Sequence, residues 1–106
     1  MITALKIDAQ KQEMYEVTFI DELQEYYEVL DVSIIETVPF NNSHDLILDE
    51  EGRINGTKHG FYIMGNAFYG NGLIVKHDGE GGWINHQLSI DDTEILKDNL
   101  TYFVDL

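Results

Sequence analysis

The sequence predicts an α+β fold: a small antiparallel or mixed sheet with one short helix after the first hairpin and a C-terminal segment readable as helix or strand. Three observations carry this expectation. Apolar and polar residues alternate over positions 3–8 and again over 14–19, with a polar loop between them. Ile20, Leu23, Tyr27 and Leu30 then recur at helical spacing. Beyond them lie short β-branched or aliphatic runs punctuated by Gly, Pro, Asn and Asp.

In chain order, Thr3, Leu5 and Ile7 oppose Ala4, Lys6 and Asp8, and Tyr15, Val17 and Phe19 alternate with Met14, Glu16 and Thr18. Two strands joined around residues 8–12 form a hairpin. A helix follows over residues 20–30, capped through Thr18 and Asp21. Residues 32–38 read as a strand that Pro39 ends or confines to an edge. Asn41-Asn42-Ser43-His44 is a turn, Leu46-Ile47-Leu48 a strand, and Asp49-Glu50-Glu51-Gly52 a turn in which the glycine suits a positive φ. Five glycines interrupt residues 55–72, Leu73-Ile74-Val75 restores a strand, and Trp83-Ile84 starts another extended piece. Ser89 with Asp92 predicts the start of a terminal helix, with Ile95, Leu96, Asn99 and Leu100 facing inward. Thr101-Tyr102-Phe103-Val104 reads equally well as a strand. With no repeat and no linker, residues 1–106 are expected to form one domain.

The formal charge is −14, and it is unevenly spread. Residues 20–31 hold five carboxylates and no base, whereas residues 55–88 are neutral, glycine-rich and aromatic. Such a surface repels nucleic acid and anionic membranes, which recruit Lys and Arg, and it attracts basic proteins. Neither direct nucleic-acid binding nor membrane binding is therefore expected. Self-repulsion favours a monomer or small homo-oligomer. Residues 2–7 are too short for an export signal and no stretch nears the ~20 apolar residues of a span, so a cytoplasmic location is expected.

Chemistry-bearing patterns are sparse. The absence of cysteine excludes disulfides, thiolate zinc sites and cysteine nucleophiles. His44, His59, His77 and His86 lack metal-ligand spacing, and the acidic turns at 45–51 and 78–82 lack the alternation of a calcium loop. Gly70-Asn71-Gly72 leads into a strand and not into a helix, the wrong order for a phosphate loop. No serine stands in a nucleophile-elbow context. The expectation is a binding protein without catalytic residues, metal or cofactor. Two partner-binding sets are candidates. One is acidic: Asp21, Glu22, Glu25, Glu28 and Asp31 on the helix, with Asp49, Glu50 and Glu51 in the turn. The other is an aromatic loop of Phe61, Tyr62, Phe68, Tyr69 and Trp83, suited to a protein partner or, with Lys58 or Lys76, to a stacked nucleotide.

The order of hairpin, helix over residues 20–30, strand ending near Val38, Leu46-Ile47-Leu48-Asp49-Glu50-Glu51-Gly52, Ile54-Asn55-Gly56 and Gly70-Asn71-Gly72-Leu73-Ile74-Val75 resembles a domain-of-unknown-function family. Its members are small proteins of phages, plasmids and integrative elements, and the resemblance covers residues 1–78. It implies a mobile-element setting, where small acidic proteins inhibit host defence. The expected role is thus inhibition of a CRISPR nuclease or restriction enzyme through its basic surface, carboxylates standing where DNA phosphates would lie. The resemblance carries no functional residues. A ligand-sequestering protein and a phage or plasmid assembly partner are the alternative roles.

Overall fold

The computed structural model describes residues 1–52 and 56–104. The Ile54-Asn55 part of the family motif lies outside the described residues. The fold is α+β, with antiparallel sheets throughout. The hairpin forms as expected, β1 (Ile2–Asp8) pairing β2 (Glu13–Phe19) with Ile2 opposite Phe19 and Ile7 opposite Met14. Helix α1 (Leu23–Leu30) follows, then β3 (Ile35–Pro39), β4 (His44–Asp49), β5 (His59–Ile63), β6 (Asn66–Tyr69), β7 (Gly72–His77), the short β8 (Trp83–Ile84), α2 (Ile90–Asn99) and β9 (Thr101–Val104).

The main sheet runs β2-β1-β7-β4-β3, with β8 added to β7, and the second sheet runs β6-β5-β9. Strands β4 and β7 are central, which is why Leu46-Ile47-Leu48 and Leu73-Ile74-Val75 are continuous apolar runs: both faces are covered. One face packs Ile47, Leu73 and Val75 against Tyr26 and Leu30 of α1. The opposite face packs Leu5, Leu46, Leu48 and Ile74 against Phe61 and Ile63 of the second sheet and against Leu100. The layers are therefore helix, sheet, and a second sheet with α2.

Several local expectations are corrected. The buried face of α1 is Tyr26 and Leu30; Ile20 is exposed and Leu23 is 55% exposed. Thr18 does not cap the helix; it lies in β2 with its hydroxyl 3.0 Å from that of Thr3, while Glu22 holds the N-cap position without a side-chain bond. Tyr26 turns inward and donates its hydroxyl to Asp21 at 2.6 Å, which fixes the helix entry instead. Asp31 ends α1 in the left-handed region, at φ 58°. Gly52 does not have positive φ. Glycine is required there by space, since a Cβ would stand 2.6 Å from the Tyr69 carbonyl oxygen.

Within the glycine-punctuated stretch, His59–Ile63 and Asn66–Tyr69 are strands. Met64 and Gly65, both at positive φ, make the two-residue turn between β5 and β6. At the C-terminus both readings hold in succession. Ser89 caps α2 by accepting the Asp92 N–H at 3.0 Å, and β9 then pairs with β5. Only half of the expected inward face of α2 is realised, because Leu96 and Leu100 turn inward while Ile95 and Asn99 are exposed.

The connection into α2 is tied down by His44. The Gln87 N–H donates to His44 Nε2 at 3.0 Å, so the ring proton sits on Nδ1, 2.8 Å from the Ser43 hydroxyl oxygen and 3.2 Å from Asn41 Oδ1. Among the described residues no helix is long and apolar enough to cross a membrane.

Candidate partner-binding surface

The two candidate sets are rearranged by the fold. Of the aromatic set, Phe61 is fully buried between the sheets, and Phe68 leans on it with ring centroids 5.7 Å apart. These two are core. Trp83 lies across the main sheet from them, 5.0 Å from the Tyr26 ring, with its indole N–H donated to Asp45 at 3.1 Å. The expected aromatic loop is thus three separate groups, because strand alternation sends neighbouring rings to opposite faces.

What remains outward is Tyr62 and Tyr69, joined by Phe103 of β9, which sequence reasoning did not single out. The Phe103 centroid is 4.9 Å from that of Tyr62 and 5.2 Å from that of Tyr69. Gly60 makes this possible: any side chain there would collide with the Phe103 ring and the Phe68 carbonyl. Register puts Tyr69 and Phe103 opposite Gly60 on either side, so the rings meet over the bare backbone.

Of the acidic set, only Glu25, half-buried, and Glu28, exposed, lie within α1; Asp21 and Glu22 precede it and Asp31 caps its end, all three exposed. Asp21 is committed to the Tyr26 hydroxyl, whose pKa is raised by burial and by that bond. The last turn of α1 holds no base to offset Glu28 and Asp31. In the turn after β4, Asp49 accepts the Glu51 N–H at 2.9 Å, which braces the loop. Among the described residues the ion pairs are His86–Glu16 and Lys97–Glu94, and neither reaches α1 or this turn.

The two acidic groups meet. Asp31 and Asp49 share the wall of a depression of about 130 Å³. On its other side Asp49 borders a larger groove, about 400 Å³, which also holds Glu36, Glu50, Ala67 and Tyr69. Glu36 was not singled out in the sequence; it arrives there because β3 pairs with β4 and sets Glu36 opposite Leu48. An acidic surface therefore runs from the end of α1, through Asp49, to an aromatic edge at Tyr69.

The other polar groups singled out in the sequence serve structural ties. Lys76 is held by Gln87 at 2.8 Å, apart from the Tyr62, Tyr69 and Phe103 rings. Asn71 accepts the Ala9 N–H at 2.8 Å, so the Gly70-Asn71-Gly72 corner is a structural tie. Asp78 accepts the Glu80 and Gly82 N–H groups, which hold its carboxyl below the usual range and use it as a turn brace. No cluster of metal-ligating side chains occurs among the described residues. An apolar cavity of about 420 Å³ lies beside α2, walled by Phe40, Ile63, Met64, Leu88 and Leu96, and none of the five candidate aromatics lines it.

A family model described as a domain of unknown function, DUF3846, matches residues 2–97. The chain belongs to the DUF3846 family. The match reaches beyond residue 78 and takes in Trp83 and most of α2, which the sequence-level resemblance left out. No curated protein and no solved structure matches this DUF3846 chain.

Proposed function

We propose that this DUF3846 chain is a binding protein that inhibits a host nucleic-acid-targeting enzyme, of the CRISPR-nuclease or restriction type, by covering its Lys- and Arg-rich surface. The observation that carries the reading is the acidic surface from Asp31 through Asp49 and Glu50 to Glu36, which no ion pair among the described residues offsets. Exposed carboxylates without cations repel one another, and a basic partner relieves that repulsion as it binds. The mobile-element setting implied by the resemblance supplies the class of partner, and the charge supplies the sign.

The test is capture from host lysate with tagged protein at low and high salt, beside a Glu22→Lys/Glu25→Lys/Glu28→Lys variant. Recovery of a DNA-handling enzyme that is lost at high salt and lost with the variant supports the reading. Inhibition of that enzyme's cleavage, competed by DNA, completes it. Recovery of no protein, with a small molecule released on denaturation, replaces it with ligand sequestration, for which the cavity beside α2 is the place.

A further inference from the structure

Strand β2 is one edge of the main sheet, at the far side from β3. Its seven residues pair with β1 in unbroken register and include neither proline nor lysine. No main-chain group of residues 13–19 bonds to a described residue outside this hairpin. Sheet edges are ordinarily blunted by shortness, proline, lysine or a bulge. The edge at β3 is shorter and ends in Pro39, whereas β2 has none of these devices.

Two hollows lie side by side along β2. The first, about 390 Å³, has Leu5, Met14, Leu88 and Ile90 as its apolar walls. The second, about 340 Å³, is bounded by Glu13 and Met14 on one side and Tyr102 of β9 on the other. Met14 and Tyr15 border both. Successive side chains of a strand point to opposite faces, so each hollow reaches the main chain of β2.

We propose that β2 receives an extended segment of a partner protein, paired as a further strand, whose alternate apolar side chains fill these two hollows. The site lies on the opposite sheet edge from the acidic surface and does not depend on the proposed function. The open edge selects the backbone form, because an added strand bonds to the main-chain groups that β1 leaves unused. Alternate side chains of such a strand stand about 7 Å apart on one face, so neighbouring ones enter adjoining hollows. The apolar walls select aliphatic side chains for those positions. Charge selects what stands between them. Glu13, Glu16 and Glu94 border the hollows against the single ammonium of Lys97. Glu16 is engaged by His86 at 2.6 Å and Lys97 by Glu94 at 3.7 Å, which leaves Glu13 to meet a cation. A basic segment is favoured over an acidic one, and a second copy, itself at −14, is disfavoured.

The experiment is titration of the ¹⁵N-labelled chain with a capped peptide of alternating leucine and lysine. Two control peptides carry serine in place of leucine, or N-methyl groups on the interior amides. Amide shifts across Glu13–Phe19, with slowed hydrogen exchange there, are expected with the first peptide. Each control is expected to bind about tenfold more weakly or worse. The same loss is expected in Ile90→Arg, since residue 90 is 83% exposed and borders the first hollow. Shifts confined to α1 or to the turn after β4 would overturn the site, as would equal binding of the methylated peptide. Undiminished affinity in Ile90→Arg with a native amide spectrum would overturn it too. Concentration-dependent shifts across β2 in the chain alone would assign the edge to a second copy and overturn the partner segment.

Discussion

Gly52 backs onto Tyr69: a Cβ at residue 52 would stand 2.6 Å from the Tyr69 carbonyl oxygen and 3.4 Å from the Tyr69 Cβ. The acidic turn after β4 is therefore seated on the backbone of β6, which is how carboxylates and an aromatic ring from different sheets come to share one groove. Gly52→Ala is expected to cost about 1–3 kcal/mol, the usual penalty of forcing atoms into a filled space. For a domain of this size each kcal/mol lowers the melting temperature by about 4–8 °C. Amide signals of Glu50 and Ala67 should move with it. A melting temperature equal to that of the wild type would show that the contact relaxes freely.

The aromatic residues should separate into core and surface by their energetics. Phe61→Ala opens a void between the sheets and is expected to cost about 3–5 kcal/mol. Tyr62, 47% exposed and touching Phe103, should cost only about 1 kcal/mol on truncation to Ala. Urea denaturation of the two variants checks the order. Equal losses would mean that the outer ring cluster contributes as much to stability as the core.

Acid should loosen the anchor at His44. Burial, then the nearby His86, Lys76 and His77, disfavour its protonation, while Asp45 opposes them; the folded-state pKa lies below the ordinary 6.5. Protonation also places a proton on Nε2, which must then give up the Gln87 N–H. Between 6.5 and the lower folded value the unfolded chain binds more protons, so stability falls as pH falls through that window and is fully present above it. Urea midpoints at pH 7.5 and 5.5 should differ more for the wild type than for His44→Gln, whose side-chain oxygen accepts the same N–H without titrating. Equal differences would remove His44 from the pH response.

At Glu28 stability and binding should move in opposite directions. A carboxylate in the last turn of α1 opposes the helix dipole, and that turn holds no base to offset it. Glu28→Lys should thus stabilise the fold by about 0.3–1 kcal/mol while weakening capture of a basic partner. Thermal melts and the salt-dependent capture assay read the two effects separately. A gain in both would place the partner away from α1.

Where a feature depends on nearby residues, it was legible. Strand alternation in 3–8 and 14–19 specified the first hairpin, Ser89 and Asp92 specified the start of α2, and Pro39 marked a strand that does lie at a sheet edge. The face of α1 was misjudged because eight residues make barely two turns. Over that length Leu23–Tyr27–Leu30 and Tyr26–Leu30 are equally good stripes, and the pocket beneath decides between them. Here Phe19, edge-on, and Trp83, tilted, pack against Tyr26 and settle it.

By itself the sequence determined the fold class, the sign and rough location of the charge, and the absence of thiol chemistry, since each follows from composition or short-range spacing. Only the tertiary structure decided that Phe61 is core, that Trp83 belongs with α1, and that Glu36, Asp49 and Tyr69 line one groove. Those relations depend on pairings between distant segments, β3 with β4 and the turn after β4 with β6, and such pairings are settled by how two sheets bury their apolar faces together. No local pattern encodes that choice.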